Sequence, residues 1–144
     1  MATFVKINDF VEALAHKLHD LESDSLSIAL SNTAPGSESP VPTADGNGVL
    51  ANVTQISYTN LSSRAITTTS SAVTSGTYKL TLDDLVLTAS GGAVAQFRYV
   101  YIFNDTAAGK ELIGYYDYGA AVDLADGDTF TIDFDGAAGV LTLV

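Results

Sequence analysis

The 144-residue chain has no cysteine, no tryptophan, one methionine, three prolines, two histidines and only six lysines and arginines together. Each shortage closes off a class of protein. Without cysteine there is no disulfide framework, no thiolate nucleophile and no cysteine-held metal. Six basic residues against 17 acidic ones leave a formal net charge of -11. The average field therefore repels a phosphate backbone, and nucleic-acid binding is not expected. No apolar run approaches the roughly 20 residues that span a bilayer, so no membrane partner is expected. Lys6, Asp9 and Glu12 interrupt the apolar positions near the start, which lacks the form of a signal peptide,. Synthesis in the cytoplasm is the expectation. Two imidazoles give little to a serine-type triad, there is no tryptophan for a sugar platform, and no glycine pattern matches a phosphate-cradling loop or dinucleotide fingerprint. An enzyme is not expected, nor is a cofactor.

What is present points to packing. Hydrophobic residues make up 47% of the chain and charged ones only 16%, which excludes intrinsic disorder and leaves Ser, Thr, Asn and Gly to form much of the polar surface,. The length suits one domain, 1–144.

The strongest signal lies between residues 97 and 118. Phe97, Tyr99, Tyr101 and Phe103 fall at every second position with Arg98, Val100 and Ile102 between them, the period of a strand,. Both faces are largely apolar, so this strand is expected in mid-sheet, covered on two sides. Residues 104–109 read as a turn, and Leu112 to Tyr118 as the returning strand, with Leu112, Gly114, Tyr116 and Tyr118 on one face and Ile113, Tyr115 and Asp117 on the other,. Tyrosines gather where one end is apolar and the other wet, a property shared by cores and subunit interfaces. Phe97, Tyr99, Tyr101, Phe103, Tyr115, Tyr116 and Tyr118 are therefore candidate interface residues.

Elsewhere, Ile7, Phe10, Val11, Leu14, Leu18 and Leu21 predict one amphipathic helix over 8–21, with Asn8 or Asp9 as cap, Glu12 completing a box, and His16 and His19 on the outer face,. Two histidines three apart without a third ligand read as solvated rather than as a metal site. Leu26 to Ser31 alternates as a half-buried strand. Residues 32–48 hold Pro35, Pro40 and Pro42 and little to bury, which predicts an extended surface loop, either mobile or used for contact,. Asp45-Gly46-Asn47-Gly48 superficially resembles a calcium loop but lacks its spaced carboxylates and terminal glutamate. Residues 49–56 have mixed period, readable as a helical turn or an edge segment.

Strands are predicted over Ile66 to Thr74, from Tyr78 to Leu82, over Leu85 to Thr88, around Phe130 to Phe134, and over Val140 to Val144,. Asp83-Asp84 reads as a bend rather than a dyad, since adjacent strand residues face opposite ways. Asp123, Asp126, Gly127 and Asp128 form an acidic turn, and a cation shared by Asp126, Asp128, Asp133 and Asp135 is the sharper and less favoured reading,. The sum is a mainly β protein, an antiparallel β-sandwich of jelly-roll or Ig-like type with one N-terminal amphipathic helix.

Three stretches, INDFVEALAHKLHDLESDSLSIALSNTAPG, SGTYKLTLDDLVLTASGGAVAQFRYVYIFNDT and LIGYYDYGAAVDLADGDTFTIDFDGAAGVLTLV, together resemble a family of small tailed-phage virion proteins. The resemblance is most like capsid cement or decoration proteins, and it brings no catalytic residue with it. It implies a homo-oligomer, a trimer, on the virion capsid surface, clamping the major capsid protein. In that role the proline loop or the N-terminal segment would lie across a neighbour. The alternative is a tail- or fibre-associated protein binding a receptor or glycan through Tyr58, Tyr115 or Tyr118. A third reading uses the acidic charge to bind a basic host protein.

Overall fold

The computed structural model describes residues 2–144. It is mainly β, with 44% of residues in strands or bridges and 8% helical, and its sheets are antiparallel. The elements in chain order are β1 (Phe4–Lys6), α1 (Phe10–Ala15), β2 (Leu26–Ser31), β3 (Ala65–Ile66), β4 (Thr68–Thr74), β5 (Thr77–Leu82), β6 (Leu85–Thr88), β7 (Val94–Asn104), β8 (Leu112–Leu124), β9 (Thr129–Ile132) and β10 (Leu141–Leu143). Single 3-10 turns occupy Pro35–Ser37 and Leu50–Asn52.

Five strands form the largest sheet in the order β1-β8-β7-β2-β3, with the aromatic hairpin at its middle. A second sheet runs β10-β5-β4, and β6 pairs with β9 alone. One core joins all three. Leu26, Ile28 and Leu30 from β2, Phe97, Val100 and Ile102 from β7, and Ile113 and Tyr116 from β8 meet Leu80 and Leu82 of β5, Leu87 of β6 and Ile132 of β9. A smaller cluster lies on the opposite face of the hairpin: Tyr99, Tyr101, Phe103 and Leu112 with Ile7, Ala29 and Val53. The β7 strand is thus covered on both faces, as its double-sided pattern requires.

Strict alternation does not survive along it. Phe97 joins Val100 and Ile102 in the larger core, whereas Tyr99, Tyr101 and Phe103 occupy the smaller one. The register between β7 and β8 breaks between Phe97 and Tyr99 and again between Ile102 and Phe103. A bulge inserts backbone without a partner and reverses which face the following residues take. On β8, Leu112 accordingly sits with Tyr115 in the smaller cluster, while Ile113 joins Tyr116 and Tyr118 at the larger one.

The helix is shorter than its apolar spacing predicts. It spans Phe10–Ala15 and ends in a Schellman turn: Lys17 adopts φ 65, Leu18 N–H bonds to the Ala13 carbonyl at 2.9 Å and Lys17 N–H to the Leu14 carbonyl at 3.2 Å,. Phe10 and Ala13 are buried, but Val11 and Leu18 are exposed. Asp9 occupies the cap position and its carbonyl accepts from Ala13 N–H at 2.9 Å, but its side chain makes no cap bond to the helix. Its carboxylate is engaged elsewhere.

Candidate functional site: the aromatic hairpin and the loop across it

Of the residues expected at an interface, Phe97, Tyr99, Tyr101, Phe103 and Tyr116 are buried inside the protomer and offer no surface to a partner. Tyr115 and Tyr118 alone keep part of their rings exposed. Tyr101 packs its ring on Tyr115, centroids 5.4 Å apart, and its hydroxyl has no hydrogen-bond partner among the protein groups. Burial raises its phenol well above the ordinary range, with the Glu38 carboxylate adding to the effect.

The cover over Tyr101 is the chain's own 32–56 segment, which packs on the protomer through Leu50 and Val53. Pro35 and Pro42 are buried and only Pro40 is exposed. One clip inside the segment and two sets of bonds to its neighbours fix it. The Glu38 carboxylate, itself buried, accepts from Thr54 N–H at 2.9 Å and from the Thr54 hydroxyl. The Asp9 carboxylate accepts from Gly46 N–H and Gly48 N–H, both at 2.8 Å. Backbone bonds from Leu50 N–H to the Lys110 carbonyl and from Leu112 N–H to the Gly48 carbonyl close the far end. The Asp45–Gly48 stretch is thus an anchored turn, and Leu50 and Val53 complete the apolar cover.

A buried polar node sits beside α1. His19 is not solvated but buried, stacked near Phe10 with centroids 5.2 Å apart. Asn104 Nδ2 donates to His19 Nδ1 at 3.1 Å and to Asp24 Oδ2 at 2.5 Å, and Asn104 Oδ1 accepts from Thr106 and Ala107 N–H in the hairpin turn. Burial lowers the imidazole pKa, opposed by Glu111 and Asp24. His16, by contrast, is exposed beside Glu12 at 3.7 Å.

The open part of the hairpin is a groove of about 500 Å³ between β8 and β9. Tyr118 and Phe130 meet edge to face at 5.0 Å on one side, with Asp117 and Asp133 at the rim. Arg98 grips Asp117 through Nε at 2.7 Å and Nη2 at 3.1 Å and holds its carboxyl below the usual range. Burial pushes the Tyr118 phenol up to about 12. Tyr58 is committed elsewhere: its hydroxyl accepts from Leu30 N–H, donates to Gln55 Oε1, and Arg64 lies 3.7 Å over its ring.

The acidic turns hold themselves together. Asp126 accepts from Gly91 N–H, Asp128 from Ala125 N–H, Asp133 from Asp135 N–H, and Asp135 from Ala137 and Ala138 N–H. Asp83 takes the Thr69 hydroxyl and Asp84 the Phe134 N–H, so the adjacent pair serves two separate strand ends. Among the described residues, no three acidic or histidine side chains are gathered in metal-binding geometry, and no helix is long and apolar enough to cross a membrane.

These features define a small antiparallel β protein with a self-covered aromatic hairpin and a shallow aromatic groove beside it. No protein-family model matches the chain, and no curated protein and no solved structure is significantly similar to it.

Proposed function

We propose that the chain is a structural component of a tailed-phage virion, a cement or decoration protein on the outside of the head that reinforces contacts of the major capsid protein as a homotrimer. The observation that carries this reading is the likeness of the three quoted stretches to that family. The architecture is compatible with the role. Its buried aromatic residues are used in packing, Ser and Thr are among its commonest polar residues, and several strands keep unpaired flanks. In this reading the five-stranded sheet faces the β10-β5-β4 and β6-β9 sheets as the two layers of one β-sandwich domain over 1–144. Mass spectrometry and immuno-electron microscopy of purified virions test it. The expected result is the protein on the head surface, with lower thermal stability in heads that lack it. Its absence from virions, with light scattering showing only monomers, would overturn the reading.

A second reading is favoured by one observation, the groove that joins the Tyr118 and Phe130 rings to the Asp117 and Asp133 carboxylates. Aromatic surface beside hydrogen-bond acceptors suits a sugar ring. Here the protein is a tail- or fibre-associated glycan binder, and a glycan array with wild type and Tyr118→Ala separates the two readings.

A further inference from the structure

Among the described residues, the β4 strand pairs with β5 on one flank and with nothing on the other. It is seven residues long, whereas the other strands that end a sheet, β1, β3, β6, β9 and β10, have two to four. Its sequence, TTSSAVT, contains no charge, no proline and no glycine. Proteins ordinarily protect long edges with charge, proline or a bulge, because a bare row of N–H and C=O groups templates another strand; the one irregularity of β4 lies between Thr68 and Ser70, outside its Ser71–Val73 stretch. Val73 is 65% exposed, more than any other large apolar residue except the C-terminal Val144.

The turn fixes which backbone groups are free. Ser75 and Gly76 have φ 50 and 81, the two positive angles of a type I′ turn, and Thr74 faces Thr77 across it,. The pair closing such a turn is hydrogen-bonded, and bonded and non-bonded pairs then alternate. Ala72 opposite Lys79 and Ser70 opposite Thr81 are therefore bonded to β5, while Val73 and Ser71 aim N–H and C=O outward. The free groups lie two residues apart in one strand. An antiparallel copy of the same strand presents the same spacing reversed.

We propose that β4 is a self-pairing edge: two copies of the chain join antiparallel about a twofold axis at Ala72, with Ser71 of each opposite Val73 of the other, making one continuous six-stranded sheet. About four backbone hydrogen bonds form across the junction, and Val73 is covered by the second copy. The occupant is a second copy because the strand is reciprocal to itself and because two chains of net charge -11 meet most easily where neither carries charge,. The proposal goes beyond the virion reading and does not depend on it.

The absence of cysteine makes the test direct. At the axis Ala72 faces its own copy in a non-bonded pair, the close spacing that accepts a disulfide. Ala72→Cys is expected to cross-link to a covalent dimer under mild oxidation, and Thr74→Cys, four positions from its own copy in this register, is not. Native mass spectrometry of the wild type is expected to give an even number of 15.0 kDa chains, two from this junction alone or six where it joins two of the proposed trimers. Ala72→Glu places like charges face to face across the axis while gaining Lys79 within its own sheet, so it is expected to halve the assembly mass with folding intact. Mixing it with Ala72→Lys is expected to restore the pair. A wild type that stays monomeric at all concentrations overturns the proposal. So does an oligomer that Ala72→Glu leaves unchanged, or equal cross-linking of the two cysteine variants.

Discussion

Gly114 lies directly against the Phe4 ring: a β-carbon at position 114 would stand 2.2 Å from two of its ring carbons and 2.8 Å from the Val5 carbonyl oxygen. Gly114 faces Lys6 across the β1–β8 ladder, so the absent side chain is what lets β1 dock with its aromatic ring over β8. Phe4 meets Tyr116 edge to face at 5.7 Å once docked.

Gly114→Ala should therefore release β1 while sparing the rest of the sheet. Overpacking of this kind costs about 1–3 kcal/mol. Hydrogen exchange is expected to speed up at residues 4–6 and to remain slow in β7. Unchanged protection in both strands would show that Phe4 can move aside freely.

Asp9 is the second point of control. Asp9→Ala removes the acceptor shared by Gly46 and Gly48 N–H, and losing such charge-assisted bonds costs about 1–3 kcal/mol. Urea unfolding is expected to show that loss, and limited proteolysis to cut first within 44–48. Asp9→Asn, which keeps one acceptor oxygen, should fall between.

Alkaline pH acts through the tyrosines. Tyr118 is held near 12 by burial, against 10.0 for a free phenol, and Tyr101 and Tyr116 are raised further. The unfolded chain gives up these protons first. Stability is thus fully present below pH 10 and declines as pH rises through the folded values. Ultraviolet titration of phenolate is expected to show a late group that ionises only with unfolding. Tyr101→Phe should leave stability level or raise it by about 1 kcal/mol, since it deletes a buried hydroxyl that lacks a protein partner,. A loss of that size instead would mean the hydroxyl is satisfied.

Acid acts through His19. Its folded pKa lies below the ordinary 6.5 because burial disfavours the imidazolium. Protons bind the unfolded chain preferentially, so this contribution is present above pH 6.5 and is lost as pH falls through the folded value. His19→Gln should flatten the stability profile below pH 6.5,. A profile that this substitution leaves unchanged would remove His19 from the account.

The strands were largely legible because alternation reports burial directly: Tyr78-Leu80-Leu82, Phe130-Ile132 and the aromatic run all fall in strands. The parity of Phe97 against Tyr99 was not. A bulge adds backbone without leaving a residue type that marks it, and only pairing with β8 reveals it. The helix was overextended because Lys17 carries no sign of its left-handed φ. Pro35 and Pro42 gave the 32–48 segment the look of solvent-facing chain, yet their rings are apolar and pack. Asp9 read as a helix cap because such residues prefer that place, and only the fold brings Gly46 and Gly48 within reach. Glu38 and Asn104, which anchor the cover and the polar node, stood out by no local signal at all.

The slip in pairing at Phe97 has a bearing on how this chain tolerates length change. Phe97 and Tyr99 already take opposite faces two positions apart, so the irregular pairing around Phe97 can absorb the loss of one residue. Removing a single residue between Tyr99 and Ile102, where the faces alternate without a break, would instead turn Phe97 out of the apolar interior it shares with Phe130.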